Sequence, residues 1–525
     1  MVFVTSAITV AGTGGLPWLT VAGGIPLVGA IAVAFGPARL TRYLTLAFSV
    51  ITLGWVIAMA TQFNTSGPTF QFTEEYSWIP QFGVHYALGV DGIALVLLGM
   101  TVILMPVVVL ASWHDADEAK RSPKVNFALM LVLETMLIGT FAATDVFLFY
   151  VFFEAMLIPM YFMIGSFGVG ARQYAAVKFL LYSLLGGLLM LVAVIALYVY
   201  AGQSAATGHH GTFMFYQLAQ VALSPTVQKW LFLGFFIAFA IKAPLWPFHT
   251  WLPDATASAQ PGAAVLMLGV MDKVGTFGMI RYCLELFPAG FHYFTPLILV
   301  LSVISIIYGA LVAIGQTSMK RLIGYTSISH FGFIVLGIFA LTSQGQSGAA
   351  LYMVNHGFST GALLLIAGFL IVRRGSDKIS DYGGVQKVAP MLAGLFLISG
   401  LAGLALPGLS TFVSEFLVLV GTFSRYKVAG SFAVAGIILA AIYILWMYQR
   451  TMGGPTAESV SAMPDLKPRE LLAVVPLVVL IIAMGVYPKP VLDVINPAVN
   501  STMSQVHATD PVPAHPAVAQ KGNQP

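Results

Sequence analysis

Residues 149 to 165 read FYVFFEAMLIPMYFMIG, with one carboxylate, Glu154, inside an apolar run too long for an ordinary core helix. The same anomaly recurs along the chain at Glu134, Lys178, Lys242, Lys273 (preceded by Asp272), His330, His356 and Glu415. A charged group at mid-bilayer costs roughly 2.5 to 3.5 kcal/mol even on a lenient insertion scale. Groups of this kind are therefore expected to face one another or a water-filled cavity rather than lipid. They are acids and bases, and a Glu–Lys pair of this kind can take up and release protons. The histidines and carboxylates lie on different apolar segments without tight local spacing, and no metal site is expected from them.

These residues must be positioned by helices. Of 525 residues, 58% are hydrophobic and only 8% are charged, against roughly 25% charged in a soluble domain. A hydrocarbon core about 30 Å thick needs about 20 apolar helical residues. On that ruler the expectation is an all-α, polytopic membrane protein of fourteen spans. The expected divisions are spans 1–3 within 1–112, spans 4–8 within 125–285, spans 9–13 within 294–450, and span 14 at 469–487. The tail 488–525, rich in Pro and polar residues, is expected to be disordered.

Two spans carry breaks. In AIKAPLWPFHTWLPDA, Pro244 and Pro247 follow Lys242, and each lacks an N–H and clashes with the preceding turn. Span 7 (228–252) is thus expected in two pieces, the second starting near His249, whose ring is expected to donate to freed carbonyls. In ISGLAGLALPGLSTFVSEF, Pro407 does the same to span 12 (390–424), with Glu415 two turns beyond it. Interrupted helices in corresponding places of two halves point to inverted repeats, here spans 4–8 and 9–13. Aligning Pro244 with Pro407 places Lys242 opposite Ala405 and Glu415 opposite Leu252. Pro159 adds a kink beside Glu154. Burial penalises the charged form of both a carboxyl and an ammonium, while each favours the other's charge at close range. A Glu154–Lys242 pair is therefore expected to respond to any charge that moves nearby.

Threading the spans alternately gathers most of the 24 Lys and Arg residues on one side, which places both termini outside. No basic patch with interleaved aromatics suggests nucleic acid. The single cysteine, Cys283, excludes a disulfide framework and a four-cysteine iron–sulfur site within the chain. GTGG at Gly12–Gly15 lacks the spacing and downstream acid of a dinucleotide fingerprint. The first twenty residues lack the basic start of a cleavable signal.

Six stretches carry a resemblance: FYVFFEAMLIPMYFMIG, AIKAPLWPFHTWLPDATASAQPGA, MDKVGTFGMIRY, MKRLIGYTSISHFGF, HGFSTGALLLIAG and LPGLSTFVSEF. In this order they resemble the antiporter-like proton-channel subunits of respiratory complex I, from about residue 85 to 487. A glutamate at the position of Glu415 marks the M-type branch of that family. The resemblance implies that Glu154 and Lys242 form the pair of a first half-channel and that Lys273 is the central lysine. His330 and His356 then lead into the second half, Glu415 is the exit group, and Glu134 and Lys178 are supporting partners. Asp272 departs from the family pattern. The resemblance further implies a bacterial inner membrane and L-type and N-type neighbours in a membrane arm. No cofactor is expected in this chain; flavin, iron–sulfur clusters and quinone are expected on other subunits. The alternative reading is a subunit of a multi-subunit sodium/proton antiporter. A solute carrier fits less well, because the midplane groups are ionisable and strung across many spans.

Overall fold

With lipid as solvent, an apolar run satisfies its own N–H and C=O groups only as a helix or in a closed barrel, and helices make up most of this chain. The computed structural model describes Val10 and residues 15–118 and 121–511. Lys120, Lys521, most of the GTGG stretch and the last part of the expected disordered tail lie outside the described residues. Twelve helices among the described residues are long and apolar enough to cross a membrane. The other two of the fourteen expected segments are not continuous helices.

The first runs Pro225–Lys242, unwinds, and resumes as Trp251–Ser258. The second runs Pro390–Gly403 and resumes as Ser410–Arg425. Both breaks follow one plan. Just past the first piece an N–H bonds five residues back: Leu245 to the carbonyl of Ala240 at 2.9 Å, and Leu406 to that of Leu401 at 3.1 Å. A side chain of the second piece then satisfies a carbonyl that the helix end leaves free. The Trp251 indole donates to Ile241 at 2.9 Å, and the Thr411 hydroxyl donates to Ala402. Counted from the carbonyls these bonds use, Lys242 corresponds to Gly403, and counted from the donors Trp251 and Thr411, Ala255 corresponds to Glu415, a register that differs from the one taken from the prolines. His249 also differs from expectation. Its ring nitrogens have no hydrogen-bond partner among the described residues, and it lies edge-on to Tyr308 at 5.0 Å. The freed carbonyl it was expected to meet is taken by Trp251.

The Glu154 segment is interrupted where Pro159 demands it, between Val146–Ala155 and Leu157–Phe167. The helices Pro261–Leu284, Met319–Phe339 and Ser343–Arg374 are buried nearly all round, whereas Arg172–Gly202 turns much of its surface outward. Lys273, His330 and His356 ride on those three inner helices. Two turns of wide, π-type winding, Leu266–Met271 and Met279–Leu284, flank the short α-helical stretch that starts at Lys273.

Two elements were not expected. A hairpin of β1 (Gln71–Ile79) and β2 (Val84–Val90) pairs antiparallel between the second and third long helices. The carboxylate of Glu74 on β1 accepts the Leu19 N–H at 2.7 Å, capping the start of the first long helix. The second is a helix at Lys489–Gln505, which corrects the expectation that the tail is disordered from 488. Its buried residues Ile495, Ala498, Val499, Thr502 and Met503 follow the one-face spacing of an amphipathic helix. The prolines and polar residues of this stretch concealed that stripe.

Candidate functional site

On the inner helices the ionisable groups meet in sequence. Lys273 Nζ lies 2.6 Å from His356 Nδ1 and also donates to the carbonyl of Leu268 in the wide turn behind it. As an ammonium, Lys273 donates to the histidine; as an amine, it can receive from it. The contact therefore survives in both protonation states, as a proton exchange requires. The His356 and His330 rings stand edge to face at 5.2 Å. His330 Nε2 is 3.1 Å from the carbonyl oxygen of Gly403, which only accepts, so that nitrogen carries a proton and Nδ1 is the basic one. Gly403 is the last residue before the second break, so the break supplies the carbonyl that sets this tautomer. The Tyr443 hydroxyl is 3.3 Å from the same nitrogen. His330 also faces the Tyr352 ring at 5.9 Å, and the Tyr352 hydroxyl donates to Glu415 Oε2 at 3.3 Å. Lys273, His356, His330 and Glu415 are all buried.

The other half is joined more loosely. Lys242 Nζ is buried with no hydrogen-bond partner among the described residues and lies 5.0 Å from the Phe153 ring and 5.6 Å from that of Phe179. The carboxylates within electrostatic reach of it are Glu154 and Asp272. Glu154 and Lys242, expected as a pair, are charge neighbours without a direct bond. Glu154 is half-buried and its carboxyl rests on Gly187 of the Arg172–Gly202 helix, where any Cβ would overlap it. Glu134 is buried with neither oxygen bonded among the described residues, and no contact among them joins it to the other groups.

Lys178 pairs with Asp254 at 2.8 Å, and Asp254 also takes Arg321 at 2.6 Å. Asp254, Tyr352 and Tyr443 escaped the sequence reading. Tyr352 had a usable signal, since it stands four residues before His356 and so shares its helix face. Asp254 lay in plain view in the WLPDA stretch but has no partner nearby in sequence. Tyr443 sits in an apolar helix with nothing local to mark it. Among the described residues no cluster of three or more His, Cys, Asp or Glu could hold a metal ion.

A helical membrane protein with two broken helices and a buried line of acids and bases between them belongs to the antiporter-like class. The family described as NADH:quinone oxidoreductase/Mrp antiporter, TM, matches residues 143–442, and the chain belongs to it. Among curated relatives, NADH-quinone oxidoreductase subunit M of Mycobacterium tuberculosis is 54% identical, over 96% of this chain and 97% of that one. A chain in the structure of respiratory complex I from Thermus thermophilus with bound NADH superposes with a TM-score of 0.85 at 31% identity. That match covers 93% of this chain and 99% of the other. A chain of the Mrp complex from a Dietzia species has a TM-score of 0.82 at 20% identity, over 94% and 99% of the two, and shares the fold.

Proposed function

We infer that this chain is a proton-translocating, antiporter-like subunit, of the M type, in the membrane arm of NADH:quinone oxidoreductase. Its protons pass along Glu154, Lys242, Lys273, His356, His330 and Glu415, with Tyr352 and Tyr443 holding the last steps in place. The observation that carries this reading is the hydrogen-bonded and ring-contact run from Lys273 to Glu415. Moving one charge against the membrane potential costs about 2.3 kcal/mol per 100 mV. One pK unit is about 1.4 kcal/mol, so shifts of roughly two units along the line suffice to give it direction. Burial and a neighbouring charge are the means: Lys242 and Lys273 are buried beside carboxylates, whereas Glu415 is buried against the Tyr352 hydroxyl.

In this reading each broken segment still crosses the membrane, giving fourteen spans, with 125–285 and 294–450 as inverted five-helix repeats. Both termini lie outside a bacterial inner membrane. Electron transfer and its flavin, iron–sulfur and quinone groups belong to other subunits of the complex, and the L-type and N-type subunits are its neighbours. Lys178 and Glu134 support the line from outside it.

The test is Glu154→Gln in the assembled complex. Electron transfer from NADH to an artificial acceptor stays intact, while proton translocation and coupled turnover fall. Full proton-to-electron stoichiometry in that variant ends the reading. The shared fold with the Mrp chain keeps a sodium/proton antiporter subunit as the second reading. Purification decides between them: a peripheral arm with flavin and iron–sulfur signals supports the first, sodium-dependent proton exchange without one the second.

A further inference from the structure

Asp272 is fully buried, and neither of its carboxyl oxygens has a hydrogen-bond partner among the described residues. A buried carboxylate with no partner is strongly disfavoured, so Asp272 either holds a proton or has its charge answered by a cation nearby. The charged groups within reach of it are Lys273 on its own helix and Lys242 on the facing one. The packing shows why. A Cβ at Gly278 would meet the Phe239 ring at 2.5 Å, and one at Gly275 would meet the Phe239 carbonyl oxygen at 2.6 Å and the Ala243 nitrogen at 2.7 Å. The two helices therefore run antiparallel with backbone nearly touching. Positions three apart share a face, so Asp272, the next step along that face, lies against the unwound stretch that begins at Ala243, beside Lys242. Wide winding also ends at Asp272, whose N–H bonds the carbonyl of Met267 five residues back at 3.1 Å. Such local π-type turns recur at functional sites.

We propose that Asp272 is the proton carrier between Lys242 and Lys273, closing the gap that no direct contact spans. The proposal rests on the proton path described above. The Lys242 ammonium gives its proton to the Asp272 carboxylate, leaving an amine and a carboxylic acid. The acid then gives the proton to a neutral Lys273 amine, leaving a carboxylate and an ammonium. From Lys273 the proton continues to His356. A carboxylate suits this position because it holds an acceptor toward one lysine and, once protonated, a donor toward the other.

The experiment compares Asp272→Asn, Asp272→Glu and Glu154→Gln in the intact complex reconstituted in vesicles. NADH oxidation with an artificial acceptor serves as the check on assembly. The expected result is loss of proton translocation in D272N, its recovery in D272E, and loss in E154Q. Normal translocation in D272N beside loss in E154Q overturns the carrier and leaves the path standing. Normal translocation in both overturns the path and the carrier with it. Equal loss in D272N and D272E, with both assembled, makes the position a packing site and overturns the carrier. A further measurement does not depend on D272N assembling. The infrared difference spectrum on NADH addition is expected to contain a carboxylic-acid band that shifts in D272E, and an identical spectrum in D272E overturns the proposal.

Discussion

At the scale of residues, the question is what a buried acid or base touches, because that decides whether it can change its charge. Lys273 has a partner that works in either protonation state, whereas Lys242 has only aromatic faces and the charges of two carboxylates. Glu154 depends on a missing side chain. Its carboxyl occupies the space a Cβ would fill at Gly187, and a carboxyl at the end of a flexible side chain can swing away without disturbing the backbone. Gly187→Ala is therefore expected to leave assembly and thermal stability unchanged while lowering proton translocation as Glu154→Gln does. A G187A complex that pumps normally would show that Glu154 works from another position. The identities of Glu154, Lys242, Lys273, the two histidines and Glu415 were legible in the sequence because ionisable residues in apolar runs stand out individually. The partnership of Lys178 with Asp254 and Arg321 was not, since those groups lie on three different helices.

At the scale of elements, the breaks are what make a polar path compatible with an apolar slab. Pro244 and Pro407 stop their helices by a missing N–H and a clash with the preceding turn, and that much was readable. Which groups satisfy the freed carbonyls was not readable, because Trp251 and Thr411 become donors only once the second piece folds back on the first. Trp251→Phe keeps an aromatic ring but removes the indole N–H and leaves a small void, so the buried Ile241 carbonyl loses that donor. The expected cost is about 1 to 3 kcal/mol, read as a lower melting temperature of the complex, together with weaker translocation because Lys242 follows Ile241. A W251F complex with unchanged stability and pumping would mean that the break is held by other bonds.

At the scale of the whole molecule, the inner helices carry the proposed relay and the outer ones cover them, but the cover is incomplete. At the second break Leu406, Pro407 and Gly408 are exposed on this chain. Irregular backbone at membrane depth is tolerated only where protein or a water-filled cavity covers it, so a neighbouring subunit is expected over this patch. Leu406→Cys should cross-link to that neighbour in the assembled complex with a short bifunctional reagent. Free labelling of the same cysteine by a lipid-soluble maleimide, with no cross-link, would place the patch against lipid instead. The C-terminal helix joins the molecule at this scale too: Thr502 donates to the buried Glu285 at 2.6 Å, across 217 residues of chain.

The sequence by itself determined where the long helices lie, where two of them stop, and which ionisable residues are carried inside. Each of these follows from a local property: the apolarity of about 20 neighbouring residues, the missing N–H of a proline, the cost of a charge in oil. Only the tertiary structure decided who meets whom. Lys273 and His356 are 83 residues apart in the chain, and their contact depends on how two helices cross. The hairpin, the helix after residue 488 and the unpartnered Asp272 between two lysines are decisions of the same kind. Side-chain neighbours across helices are set by packing geometry, and no window along the chain contains it.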